Sequence, residues 1–335
     1  MVASFKRAAW LARALRLACL PGLACLALFG TTGAAPAQDF PSKPITIVIP
    51  YPAGASTEQV GRLVQPILQE RLKHPVIVEN RPGGNGSIGS MAVARADPDG
   101  HTVLLTTNAL MTITPHVQSM PFDPIKDFAP VTTAVRGILG LAVHPSVPAK
   151  SMAEFIAYVK KNPKTINYGT AGVGSPQHMA GLLLNRAAGI ELVHVPYKGG
   201  GPAMNDLLGG HIQSVVATIV TMLEHERNGA LRILGIGEDK RFSGIPHVQT
   251  IAETVPGFQA TSWLAFYAPA KTPPAVVDKL NRELVAALND PGVKRKLEEA
   301  GLPIVADKPE DLGRMTKDDL ARWGEIAREM NVRVD

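Results

Sequence analysis

The sequence predicts a two-lobe α/β protein, each lobe a mainly parallel sheet flanked by helices, with two crossover strands joining the lobes. Strand-length apolar runs alternate with helical periodicities from residue 44 onward, the pattern of repeated strand and helix units. Two apolar passages, residues 131–143 and 261–269, link regions of different character with no Gly/Ser linker. A pair of extended segments of this kind permits rotation while each core stays intact.

The first strand is Ile45-Thr-Ile-Val-Ile49, which breaks at Tyr51-Pro-Ala-Gly-Ala-Ser56. Val60, Leu63, Val64, Ile67 and Leu68 then recur at helical spacing. Ser56 with Gln59 three residues on predicts a capping box that sets the helix start against the loop. A second strand is expected at 75–78, a short helix at 88–96 and a third strand at 102–106. Next come a helix at 151–161, with Ser151 and Glu154 as its capping box, and a strand at 165–168. Helices at 176–188 and 202–208, with strands near Leu192, Val215 and Ile233, give the second half a lobe of its own. After the second crossing, Val276, Val277, Leu280, Leu284 and Leu288 mark one helix and residues 312–330 another, both returning to the first lobe. The expected division is 1–37 as a leader, 38–138 with 262–335 as a discontinuous first lobe, and 139–261 as the second.

The leader carries Lys6, Arg7, Arg13 and Arg16 without an acid, then an apolar run over 17–29, then Ala35-Pro36-Ala37. That order is a secretory signal peptide, with cleavage expected before Gln38. A membrane anchor fits less well, because Pro21 and Gly22 interrupt a run shorter than the roughly 20 apolar residues a spanning helix needs. Cleavage removes four of the 34 Lys and Arg and none of the 29 Asp and Glu, so the net charge falls from +5 to +1. The basic balance therefore gives no reason to expect nucleic acid. Cys19 and Cys25 leave with the leader, so the mature chain is expected to hold no thiol, disulfide or cysteine-bound metal. A soluble, monomeric protein of the periplasm is the expectation.

Four segments rich in Gly, Ser, Thr and Pro precede helices or follow strands: residues 50–58, 106–109, 168–178 and 197–206. Ligands of open α/β sheets bind outside the carboxyl ends of strands, where such loops gather. Any one of them reads equally well as an ordinary turn; four around one kind of sheet favour binding. The third, Tyr168-Gly-Thr-Ala-Gly-Val-Gly-Ser-Pro-Gln-His178, lets backbone N–H groups approach a ligand and opens a helix, whose N-terminus suits a carboxylate. The one fixed cation in these loops is Lys198, against Glu58 and Asp206, so backbone donors are expected to hold an anion. Lys198 itself is either a solvated rim charge or a long-range attractor. His178, one turn into the helix, reads as a hydrogen-bonded structural histidine ahead of a ligand contact.

Other signals are weaker. Gly84-Asn-Gly-Ser-Ile-Gly89 matches a dinucleotide fingerprint, but Arg81 and Pro82 intervene after the strand and no second strand with a terminal acid follows cleanly. The nine histidines lack metal-ligand spacing, and no Gly-x-Ser-x-Gly elbow occurs. No catalytic residue, metal or cofactor is expected.

Several motifs together resemble one family. Phe40-Pro-Ser-Lys-Pro-Ile-Thr-Ile-Val-Ile-Pro-Tyr-Pro-Ala-Gly54 is similar to the opening of the tripartite tricarboxylate transporter receptors, also called Bug receptors. Val78-Glu-Asn-Arg-Pro-Gly-Gly-Asn-Gly86, Ala96-Asp-Pro-Asp-Gly100, the 168–175 loop, Val195-Pro-Tyr-Lys-Gly199, Asp206-Leu-Leu-Gly-Gly210 and Ala268-Pro-Ala-Lys-Thr-Pro273 follow in the family's order. The resemblance implies a periplasmic-binding-protein fold, type II-like, that holds a ligand carboxylate by loop backbone and bridging water. It also implies a small organic acid and the integral-membrane subunits of a tripartite carrier as partners. Carried over by residue, the first loop offers Tyr51, Ala53, Gly54 and Thr57; Thr107 and Asn108, in the loop after the third strand, are further ligand-binding candidates. The second-lobe loops offer Thr170, Ala171, Gly174, Ser175, His178, Lys198 and Gly199. Ala55 and Glu58 replace the family's usual glycine and aspartate, Leu182 a common Glu and Gln249 a common proline, so ligand identity does not carry over. Two other readings share the sequence: a ligand-sensing partner of a membrane sensor kinase, and an exported α/β hydrolase or lyase, for which no nucleophile and base pair is visible.

Overall fold

The computed structural model describes residues 40–54 and 56–333. The leader, the cleavage site before Gln38 and Ala55 lie outside the described residues. From Lys43 onward the chain forms one compact unit.

Its first part runs β1 (Ile45–Ile49), α1 (Ser56–Leu72), β2 (Val76–Asn80), α2 (Ser87–Ala94) and β3 (Thr102–Thr107), then a π-helical turn (Ala109–Ile113) into the short α3 (Thr114–Val117). The long β4 (Phe128–Val143) leads to α4 (Met152–Lys161), β5 (Asn167–Thr170), α5 (Pro176–Ala188), β6 (Val193–Pro196), α6 (Gly200–Leu208), β7 (Ser214–Thr218), α7 (Leu223–Arg227) and β8 (Arg232–Ile236). The chain returns through β9 (Thr261–Pro269) to α8 (Pro274–Leu288), α9 (Pro291–Glu299) and α10 (Pro309–Glu329).

The strand order is β2-β1-β3-β9-β4-β7-β5-β6, with β8 also on β4. β1 pairs in parallel with β2 and β3, and β5 in parallel with β6 and β7. β1 is buried on both faces, which is why Ile45, Ile47, Val48 and Ile49 read as a continuous apolar run. The two lobes are these two sheets with their helices, and β4 belongs to both. Residues 128–138 of β4 lie antiparallel to β9, whereas residues 139–143 pair with β7 and β8. Sixteen residues of strand span roughly 50 Å. The paired crossover strands expected at 131–143 and 261–269 are therefore present as one antiparallel ribbon. Bulges interrupt it between Pro130 and Thr132 and between Thr133 and Val135, and the Asp307 carboxylate accepts the Thr133 N–H at 2.6 Å and its hydroxyl at 2.8 Å.

Local details differ from expectation for identifiable reasons. Ser56 is the first helical residue of α1, and the reach-back comes from Glu58, whose Oε2 accepts the Gly54 N–H at 2.7 Å. At α4 Ser151 does cap, accepting from Glu154 N, but the Glu154 carboxylate takes the Lys150 N–H. β5 starts two residues later than expected, because Thr165 folds back on Asn162 through both its N–H and its hydroxyl. α9 is an addition, built on only Val293 and Leu297 as buried residues and capped by Asp290, too short an apolar stripe to show as a period. α10 does more than return to the first lobe. Leu312 packs with Val48, Leu104 and Trp263, while Trp323 and Ile326 join a core with Met179 and Leu184 of α5. Arg186 of α5 pairs with Glu325 and Glu329 at 3.1 Å each.

Candidate functional site

Loops at the carboxyl ends of β1, β3, β5 and β6 hold the candidate residues. On the first lobe, Tyr51 is half-buried and its phenol bonds Thr107 Oγ1 at 2.7 Å, while its carbonyl accepts Asn80 Nδ2 at 3.0 Å. Thr107 Oγ1 also accepts the Leu110 N–H, which turns the chain out of β3. Ala53 and Gly54 are exposed. Thr57 is 1% exposed, because it continues the Val60, Gly61 and Val64 face of α1, so its hydroxyl is turned inward and only its backbone remains for a ligand. Asn108 is fully buried and its amide is committed to β9, donating to Thr261 O and accepting from Trp263 N.

The second-lobe residues come together tightly. Thr170 Oγ1 lies 2.7 Å from His194 Nε2 and accepts the Gly172 N–H. Ser175 is the N-cap of α5, accepting the His178 N–H at 3.2 Å, and its hydroxyl donates to Gly172 O at 2.7 Å. Gly199 N–H donates to Ala171 O at 3.3 Å, tying the β6 loop to the β5 loop. His178 is 6% exposed; its Nδ1 accepts the Gly174 N–H at 3.2 Å, which places the neutral ring's proton on Nε2. Desolvation, with repulsion from His194, pushes His178 down to about 3, and desolvation lowers His194 to about 4. Both rings are therefore neutral at pH 7.

Gly174, expected as a backbone donor to the ligand, has its N–H engaged by His178, and at φ +74° it serves the turn. Among the described residues, the N–H groups of Ala171, Val173 and Gln177 make no hydrogen bond within the chain. Gly200 and Gly201 add two more, since α6 has no side-chain cap and the first turn of a helix has no internal acceptor. A Cβ at Gly199, Gly200 or Gly201 would meet nothing within 4 Å. Lys198 is exposed beside them.

Between the lobes, beside the ribbon, a cavity of about 190 Å³ is bounded by Ser56 and Gln59 of α1, Gly137 and Ser262 of the crossover strands, Thr218 at the end of β7 and Thr221 just past it. A larger hollow of about 600 Å³ lies between α8 and α10 and touches none of these loops. Among the described residues no group of three or more His, Cys, Asp or Glu is placed to hold a metal ion. No described helix is long and apolar enough to cross a membrane.

Residues 60–332 match the family model described as tripartite tricarboxylate transporter family receptor. The chain belongs to that family. Protein BugT of Bordetella pertussis is 33% identical over 319 residues, 93% of this chain and 98% of that one. The structure of Rpa4515 of R. palustris with adipate is 31% identical, with a TM-score of 0.73 over 88% of this chain and 99% of that chain. MatC of Rhodopseudomonas palustris with bound malate is 30% identical, with a TM-score of 0.70 over 86% and 99%. This is a family of solute-binding proteins, and the chain is one of them rather than an enzyme.

Of the family departures, Leu182 is buried in the second-lobe core, and Gln249 donates to Leu234 O at 3.1 Å, bracing β8. His194, Val173, Gln177, Gly200 and Gly201 were not among the residues singled out in the sequence. His194 becomes visible only through the β5–β6 register, which sets it opposite Tyr168.

Proposed function

We propose that the chain is a periplasmic receptor, exported with cleavage before Gln38, that captures a small organic carboxylate between its lobes. It closes by rotation about the crossover ribbon and, as a monomer, delivers its cargo to the integral-membrane subunits of a tripartite carrier. The observation that carries this reading is the pair of helix starts, α5 and α6, tied through Gly199 and Ala171 and offering unpaired N–H groups. Adipate and malate in the structures of Rpa4515 and MatC support a carboxylate here. Hydrogen bonds to a charged group contribute roughly 1.5 to 3 kcal/mol each, so three such donors with apolar contacts reach micromolar affinity without an arginine clamp. His178 Nε2–H is a neutral donor at the same loop.

A thermal-shift panel of mono-, di- and tricarboxylates tests the proposal. A cognate acid at about 100 times its dissociation constant should stabilise the native state by roughly 2.7 kcal/mol. No response across the panel, with amines and sugars tested in parallel, sinks it. Intact mass of the periplasmic extract tests the leader, and a chain retaining residues 1–37 contradicts the export claim.

A further inference from the structure

We infer that Gly301 is a positioning residue for ligand capture: with no side chain, it lets the turn that carries Val220 on the second lobe seat against the end of α9 on the first, which completes the wall of the interlobe cavity. The inference rests on the two-lobe closure proposed above and names a residue that sets affinity without touching the ligand.

The 3₁₀ turn Ile219–Thr221 follows β7, and α9 packs on α1 and α8 of the first lobe. Val220 of that turn and Ala300 and Leu302 after α9 line the cavity that Ser56, Gln59 and Ser262 also bound. Gly301, between those two lining residues, is where the lobes meet: a Cβ there would overlap Val220 Cβ and lie 2.9 and 3.0 Å from its two methyl carbons. Ordinary carbon contact is about 3.5 to 4 Å. The φ of +70° is what the helix end requires, since α9 closes with the Gly301 N–H on Glu298 O at 2.9 Å and the Leu302 N–H on Leu297 O at 2.8 Å. That accounts for the backbone and not for the bare side that faces Val220.

Neither partner has room to yield locally. Ile219 is buried in the second-lobe core, the Met222 N–H donates to Ile219 O at 2.8 Å and the Thr221 hydroxyl donates to Thr218 O at 2.8 Å. On the other side Pro303 O accepts the Arg136 N–H at 2.9 Å, and the Val305 and Ala306 N–H groups donate to Ala134 O and Thr133 O, so the chain after Gly301 is bonded along the edge of β4. The soft coordinate left is rotation of the lobes about the ribbon. A side chain at 301 is therefore relieved by parting the lobes by about 1 Å at this contact, and by more at points farther from the ribbon. Such a change depletes the closed state, and affinity falls by the same factor for every ligand that state holds.

The test uses purified mature protein with spin labels at Glu70→Cys on α1 and Lys160→Cys on α4, both exposed positions in a chain whose own two cysteines, Cys19 and Cys25, lie in the leader. Malate and adipate are titrated by calorimetry, and the interlobe distance is read with each acid at saturation. An acid that binds the wild type should change the label distance. Gly301→Asn accepts the left-handed φ but adds a Cβ, so it should weaken each acid that binds at least about tenfold, by one common factor, and the distance change should stop about 2 Å or more short of the wild-type one. Gly301→Ala, strained as well as bulkier, should lose at least as much affinity. Adding Val220→Gly to Gly301→Asn removes the opposing Cβ and should restore affinity to within about threefold of Val220→Gly alone. Full affinity in folded Gly301→Asn, or a loss that Val220→Gly leaves in place, overturns the inference, while the wild-type distance change keeps the closure reading standing. A wild type whose label distance neither acid changes removes the closure reading and the inference with it.

Discussion

His178 and His194 lie ring on ring, their centroids 3.9 Å apart and their planes 19° from parallel. Desolvation holds His178 at about 3 and His194 at about 4, both below their unfolded value of about 6.5. In between, the unfolded chain binds more protons than the folded one, so stability is full above about pH 6.5 and falls as pH drops toward the folded values. Urea unfolding should lose on the order of 2 kcal/mol between pH 7 and about 4.5, a figure discounted because His194 is only half-buried. Asp99 and Glu253, each held near 2, lose their contributions as pH falls through their ordinary values of 3.8 and 4.5, so that loss lies mostly below the histidine window. His194→Gln should flatten the upper window. A wild-type profile level from pH 7 to 4.5 contradicts the neutral stack.

Gly181 explains how α5 comes so close to β5. A Cβ there would sit 2.2 Å from Tyr168 Cε2 and 2.5 Å from Cζ, and Tyr168 is fully buried with no room to yield. Gly181→Ala should therefore cost about 1–3 kcal/mol despite alanine's better helix propensity. Because Tyr168 stands two residues before Thr170, the displacement should also weaken ligand binding. Denaturant unfolding and calorimetry on the same sample measure both, and a variant as stable as wild type shows the clearance is misplaced.

What anchors α10 can be separated by two substitutions. Asp319, 7% exposed, accepts Trp263 Nε1 at 3.0 Å and Arg322 Nη2 at 2.6 Å. Removing it in Asp319→Ala leaves a buried indole N–H without a partner and should cost about 3 kcal/mol. Arg186→Ala removes two exposed ion pairs to the same helix and should cost under about 1 kcal/mol. Equal losses in urea melts contradict this ranking.

The parts of this architecture legible in the sequence are those written as local periodicity. The apolar run of β1, the 3.6-residue stripe of α1 and the Ser175-Pro176 helix start are each settled by neighbours a few residues away. The crossover ribbon was readable because most residues of its two strands are buried and apolar. The π-helical turn was not, since Leu110, Met111, Thr112 and Ile113 are all buried and show no period. The site divides in the same way. Loop composition marked the second-lobe loops that meet at the starts of α5 and α6, but which N–H groups stay free depends on hydrogen bonds such as Gly174 to His178 and Gly54 to Glu58, and on the inward turn of Thr57, which depend on where side chains point.

The sharpest prediction follows from that distinction between engaged and free donors. Substitution at Gly174 is a poor probe, because φ +74° strains any side chain whatever it does to a ligand. Gly201 is a better one. It lies in the first turn of α6 without positive φ, and a side chain there meets nothing within 4 Å, so Gly201→Val should fold at least as well as wild type, valine being the better helix former. The added isopropyl group nonetheless covers the N–H groups at the helix start. Losing one charge-assisted hydrogen bond, roughly 1.5 to 3 kcal/mol, should weaken carboxylate affinity tenfold or more. Lys198 is exposed, and in the role of a long-range attractor it predicts that Lys198→Ala slows association and flattens its salt dependence while changing the dissociation constant by no more than about threefold. Calorimetry and stopped-flow on the two variants decide between backbone and side chain: if Lys198→Ala abolishes binding while a folded Gly201→Val binds normally, the anion is held by the lysine and not by the helix start.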